Sequence, residues 1–130
     1  MADFGIRKAL RATYDEALSR VPAALKSEGF GVLTEIDIQS TLKQKLGVDF
    51  RRYKILGACN PPLAHDALQA ELEVGLVLPC NVVVYEDDDR HAVVLAIDPT
   101  KAMAGTGNTK LAELAVAVKE KLSRALSRLE

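Results

Sequence analysis

The sequence predicts an α+β domain in which helices pack on one face of a curved, mainly antiparallel sheet. Three observations carry this. The expected elements run strand, helix, strand, short helix, strand, short helix, hairpin, helix, which is not the strict alternation of a doubly wound parallel sheet. Val82-Val83-Val84-Tyr85 and Val93-Val94-Leu95-Ala96-Ile97 flank an acidic turn, Glu86 to Arg90, the pattern of an antiparallel hairpin. Leu111, Leu114, Ala115, Val118, Leu122, Ala125 and Leu129 recur at helical spacing and form the stripe of one long C-terminal helix. At 130 residues the chain has the size of one ordinary domain, able to bury a core without disulfide or metal staples, so residues 1–130 read as a single domain.

Residues 4 to 11 alternate loosely and read as a first strand. Thr13-Tyr14-Asp15-Glu16 fits a capping box, so a helix should start at Tyr14. Its apolar positions are Ala17, Leu18, Val21, Ala24 and Leu25, and Gly29 stands where a left-handed cap belongs. Pro22 lies inside it. The ring clashes with the Leu18 carbonyl, which predicts a kink or two short segments. Phe30 to Ile38 reads as a strand with Phe30, Val32, Thr34 and Ile36 on one face. A short helix from Ser40 to Leu46 should end at Gly47. Tyr53 to Cys59 is the third strand, stopped by Asn60-Pro61-Pro62. A helix from about Pro62 or Leu63 to Ala70 follows, since proline suits a first helical turn. Residues 71 to 80 fit either a short helix or an irregular segment. After the hairpin, Asp98-Pro99 ends the sheet, and Asn108 caps the last helix. Both hairpin strands are apolar on both faces. One face takes the helices and the other needs a further layer or a second chain, so a homodimer is expected.

Charge and composition exclude several classes. With 17 Lys and Arg against 18 Asp and Glu, scattered along the chain, no basic face is available to neutralise a nucleic-acid backbone. The first ten residues never assemble a signal peptide, so the protein is expected to stay in the cytoplasm. The longest apolar stretch, Val74 to Tyr85, is broken by Gly75, Pro79 and Asn81 and falls short of a membrane span. Trp is absent, which weakens any case for a stacking surface. Asp87-Asp88-Asp89 lacks the further ligands of a calcium loop and reads as a solvated hairpin tip. Gly105 to Lys110 matches no phosphate-binding spacing and reads as a lead-in loop.

The reactive constellation is elsewhere. Cys59-Asn60-Pro61 closes one apolar run and Pro79-Cys80-Asn81 opens another, with His65 close behind the first. If the two runs are neighbouring antiparallel strands, the end of one lies beside the start of the other and both cysteines reach one rim. In a reducing compartment two cysteines suggest free thiols, metal ligands or redox groups rather than a permanent disulfide. Cys59, His65 and Cys80 are a donor set suited to zinc or another thiophilic metal. Cys59 precedes a helix N-terminus, which favours its thiolate, and His65 could act as its base. Asn60 and Asn81 are the supporting residues, as oxyanion donors or as local backbone caps. Alternatively the two cysteines only pack at a strand rim and His65 faces solvent.

The stretches Gly29 to Asp37, Leu42 to Asp49, Tyr53-Lys54-Ile55-Leu56-Gly57-Ala58-Cys59-Asn60-Pro61 and Leu76 to Tyr85 with its Leu-Pro-Cys-Asn resemble the prokaryotic domain of unknown function 302 family. The resemblance covers nearly the whole chain. It implies a β-α-β-β-β-β-α core with short inserted helices, similar to the TATA-binding fold, and members that tend to dimerise, but no activity. The positions matching its characteristic blocks are Cys59, Asn60, His65, Pro79, Cys80 and Asn81, while Pro22 departs from its pattern. The missing basic face argues against importing DNA binding. Three readings stand: a metal- or thiol-dependent binding module using the Cys59, His65, Cys80 rim, a thiol-dependent redox enzyme, and a non-catalytic dimerisation module.

Overall fold

A computed structural model describes residues 5–130 of the chain; Phe4, the expected start of the first strand, lies outside them. The elements are β1 (Gly5–Ala9), α1 (Tyr14–Lys26), β2 (Gly31–Asp37), α2 (Ile38–Leu46), β3 (Tyr53–Cys59), α3 (Pro61–Ala70), β4 (Cys80–Glu86), β5 (Ala92–Ile97), α4 (Pro99–Ala102) and α5 (Thr109–Ser127). Two 3₁₀ turns, Leu72–Val77 and Ala104–Thr106, complete the chain. One sheet of order β1-β5-β4-β3-β2 is antiparallel throughout, so the expected α+β architecture holds.

Alternation sorts the sheet into two faces. Leu56 and Ala58 of β3, Val82 and Val84 of β4, and Val94 and Ala96 of β5 lie in register on the helix face. They are fully buried against Tyr14, Ala17, Val21 and Leu25 of α1 and Val118, Leu122, Ala125 and Leu126 of α5. Burying a side chain of this size is worth about 1.5–3 kcal/mol, so the two long helices are fixed by this layer rather than by propensity. Lys8 shares the face and donates to the carbonyls of Ser127 and Leu129, two orphan acceptors at the end of α5.

Local signals account for the helix ends. Glu16 N–H donates to Thr13 Oγ1 at 3.2 Å and Thr13 N–H to Glu16 Oε1 at 2.9 Å, the reciprocal box expected from the sequence. Beyond Lys26 the chain makes one more turn, with Gly29 at φ +85° and the Phe30 N–H returning to the Leu25 carbonyl. Asp37 caps α2 through the Ser40 N–H, which starts that helix two residues earlier than its apolar pattern suggests. Gly47, at φ +67°, closes it. Asn108 caps α5 through Leu111 N–H.

Two expectations are corrected. Of the two outcomes expected at Pro22, the division into two short segments does not occur: α1 is one helix from Tyr14 to Lys26. Ala17, Val21 and Leu25 bury its stripe along the sheet on both sides of the proline, and this packing outweighs one missing N–H. Nor do Phe30, Val32, Thr34 and Ile36 share a face. The register between β2 and β3 shifts between Val32 and Thr34, so Val32 opposes Ala58 on the helix side while Thr34 opposes Gly57 and Ile36 opposes Ile55 on the outer side. The extra residue, Leu33, is left 66% exposed. Gly57 permits the arrangement, because a Cβ there would stand 2.2 Å from Thr34 Oγ1 and 2.8 Å from Pro79 Cγ. Helix α4, capped by Asp98, has no counterpart in the sequence reading.

Candidate functional site

The β3–β4 pairing meets the geometric condition set by the sequence. Ala58 lies directly opposite Cys80, so Cys59 is one residue from that pair and both Cys-Asn segments share one end of the sheet. The thiols are free and differ in exposure, Cys80 being buried and Cys59 half-buried. By alternation, Cys80 leaves the strand on the helix side, with Ala58, while Cys59 is the last residue of β3. Burial pushes the Cys80 thiol up to about 11, and the neighbouring Cys59 adds to the rise because two thiolates repel. Cys80 is therefore a protonated thiol at neutral pH.

His65 does not join them. It is exposed on α3, with its Nε2 3.3 Å from Gln69 Nε2 one turn on. Among the described residues no group of three or more His, Cys, Asp or Glu side chains gathers closely enough to hold a metal ion. Asn81 opposes Gly57 on the outer side and is exposed. Asn60 is engaged in holding the fold. Its Oδ1 accepts from Leu63 N–H at 3.4 Å, capping α3, and its Nδ2 donates to the Glu28 carbonyl at 3.2 Å, tying α3 to the end of α1. At 9% exposure it has both ends of its amide bonded.

What the rim borders is a cavity of about 310 Å³. Two hydrophobic clusters meet at Leu63: the main core between sheet and long helices, and a smaller one built from Ala67, Val74, Met103, Leu111, Leu114 and Ala115. The space lies between them because the residues facing it are short. Ala58, Ala64, Ala67, Gly75 and Ala115 line it, and none reaches across. Phe30, Leu33, Leu63, Leu68, Leu78, Met103, Leu114 and Val118 complete the apolar wall, with Cys59, Asn60, Pro79 and Cys80 along the rim. No charged residue contributes. Single-letter pattern reading missed these residues because alanines at Ala64 and Ala67 look like ordinary helix filler. The one available signal was their spacing of three, which places two small side chains on the buried face of α3.

The hydrogen-bonding capacity of the wall is small. Thiols are weak donors and acceptors, and Asn60 is already committed. Such a lining can take up apolar surface and can present Cys59 at the edge of the bound group, but it holds no preorganised donors for a developing charge.

Comparison with known proteins supports the fold and supplies a family. The pattern of the domain of unknown function DUF302 matches residues 6–129. No curated protein matches the chain. Among solved structures, the uncharacterized conserved protein DUF302 from Bacillus stearothermophilus is 32% identical and superposes with a TM-score of 0.92, covering 99% of this chain and 100% of that one.

Proposed function

The chain belongs to the DUF302 family, domains of unknown function, and from the geometry of its rim we propose that it is a binding module that takes a small apolar molecule into the cavity beside Cys59. The observation that carries the proposal is the 310 Å³ space itself, walled by apolar side chains, where protein interiors otherwise leave few voids larger than a water. Cys59, Asn60 and Cys80 line this space, so both cysteines belong to the binding surface. Cys59 is the contact that occupancy should shield. A redox enzyme is the weaker alternative, because a thiol raised to about 11 is a poor partner in thiol exchange near neutral pH.

The test reads thiol reactivity with an aromatic disulfide reagent at pH 8, with and without a saturating uncharged fluorophore such as 1-aminonaphthalene. One fast thiol, lost in Cys59→Ser and slowed several-fold by the fluorophore, is expected, with Cys80 reacting only on unfolding. Two equally fast thiols, or a rate unchanged by a fluorophore that binds elsewhere, would remove the proposal.

A second reading concerns assembly. Ile55, Val83, Tyr85 and Leu95 stand half-buried in adjacent positions of three strands on the face away from α1 and α5, and Tyr53 stacks on Tyr85 with ring centroids 5.7 Å apart. This apolar row supports pairing with a second copy. Sedimentation of the parent and of Leu95→Lys should show a dimer and a monomer respectively; a monomeric parent at all concentrations ends this reading.

A further inference from the structure

Volume, polarity and local charge narrow what the cavity accepts. A cavity of about 150 Å³ lined by Leu, Ile and Phe binds benzene, so by proportion one of 310 Å³ takes about twelve non-hydrogen atoms. With no charged lining residue and the Asn60 amide already bonded at both ends, a polar group carried inside would stay unpaired. The buried part of the ligand is therefore hydrocarbon.

The apolar surface continues outside the cavity. Leu33 and Leu68 line it and are at the same time exposed. On the 3₁₀ turn beside the lining residue Gly75, Leu72 and Leu76 are 83% and 88% exposed. A compact molecule enclosed by the cavity would have no use for such a collar, whereas a chain that emerges from it would lie along these leucines. Charge then selects the exposed end. Residues 55–89, which supply most of the lining, contain no Lys or Arg, and α3 with the following turn carries Asp66, Glu71 and Glu73. This segment therefore offers no cation to pair an anionic head, and its net negative charge disfavours one.

We propose that the ligand is a single-chain amphiphile with an uncharged or cationic head, its alkyl tail filling the cavity between α3, α5 and the Cys59–Cys80 rim and its head lying beyond the leucine collar. This rests on the reading of the cavity as a binding site and specifies the class of molecule.

The experiment is displacement of 1-aminonaphthalene by three homologous series, n-alkanols, n-alkylamines and n-alkanoates of six to fourteen carbons, each kept below its aggregation limit. Alkanol affinity should rise about fourfold per methylene, the ratio that corresponds to transfer of one methylene out of water. The rise should level off near ten to twelve carbons, where the cavity is full. Alkylamines should follow the alkanols, and alkanoates of equal length should bind at least tenfold more weakly. Ala67→Leu and, independently, Ala64→Leu should bring the plateau to a shorter chain in whichever variant keeps the parent far-ultraviolet spectrum. Saturable fluorophore binding that alkyl chains displace without dependence on length, or alkanoates binding as tightly as amines, would overturn the amphiphile while leaving the cavity a binding site. Absence of saturable fluorophore binding would overturn both.

Discussion

Replacing Gly57 by alanine tests the packing that shapes the rim. The added Cβ would lie 2.2 Å from Thr34 Oγ1 and 2.8 Å from Pro79 Cγ, where ordinary contacts run from 3.4 to 4 Å. The two clashes differ in kind. The Thr34 hydroxyl sits on an exposed stretch of β2 and can turn away by changing rotamer. The Pro79 ring cannot rotate, so it must move bodily by several tenths of an ångström. Overpacking of this sort costs about 1–3 kcal/mol. Replacing glycine restricts the unfolded chain and returns about 0.4–1 kcal/mol. The net loss is then about 1–2 kcal/mol. In urea, with a slope of about 1–3 kcal/mol per molar, the midpoint should fall by roughly 0.5–1 M. Thr34→Ala removes the closer clash and leaves the Thr34 Cβ at an acceptable 3.5 Å, so the double variant should regain the smaller part of the loss, the larger part belonging to Pro79. A Gly57→Ala protein within about 0.5 kcal/mol of the parent, or strictly additive effects of the two substitutions, would refute this account of the bulge.

Three further outcomes are expected. Asn60→Ala should cost about 1–2 kcal/mol in urea unfolding, because it removes the α3 cap and the donor to the Glu28 carbonyl together; Asn60→Asp, which keeps the cap acceptor, should cost less. At Asp98, burial alone would raise the carboxyl, but hydrogen bonds from Thr100 and Lys119 hold it below its ordinary value of 3.8. Because the folded value is the depressed one, the ionised group contributes stability that is present above about pH 3.8 and lost as pH falls through the folded value. Urea midpoints of Asp98→Asn measured from pH 6 down to pH 2.5 should accordingly fall less steeply below pH 4 than those of the parent, and parallel curves would contradict this. Arg90 holds φ +63° at the hairpin tip, so Arg90→Gly should raise the melting temperature by about 1–3 °C while Arg90→Val lowers it, since a β-branched side chain tolerates that region worst.

The residues that announced themselves in the sequence are those whose structure is settled within a few positions of the chain. Thr13 and Glu16 form their box, Gly29 and Gly47 take positive φ, and α5 buries its stripe because spacing, capping and the absence of a Cβ act locally. The hairpin around Asp87 to His91 is of the same kind. Its pairing with β3 was only a condition in the sequence, and the structure supplies it by setting Ala58 opposite Cys80.

Which residues surround the thiols was settled by contacts across the chain. A bulge opposite Gly57 changes the face of half of β2, and nothing within β2 signals it, because its cause is the missing Cβ on a neighbouring strand. His65 faces water since Ala67 and Leu63, on the other side of α3, are the residues buried against α5 and the core. The cavity arises where Ala58, Ala64, Ala67, Gly75 and Ala115 converge from four separate segments. Each looks ordinary in its own stretch. The sequence by itself determined the α+β class and the order of the main elements, which follow from local periodicity and turn chemistry. Only the tertiary structure decided that the cysteine end of the sheet encloses an apolar space, because a void is set by the side chains that fail to meet across it.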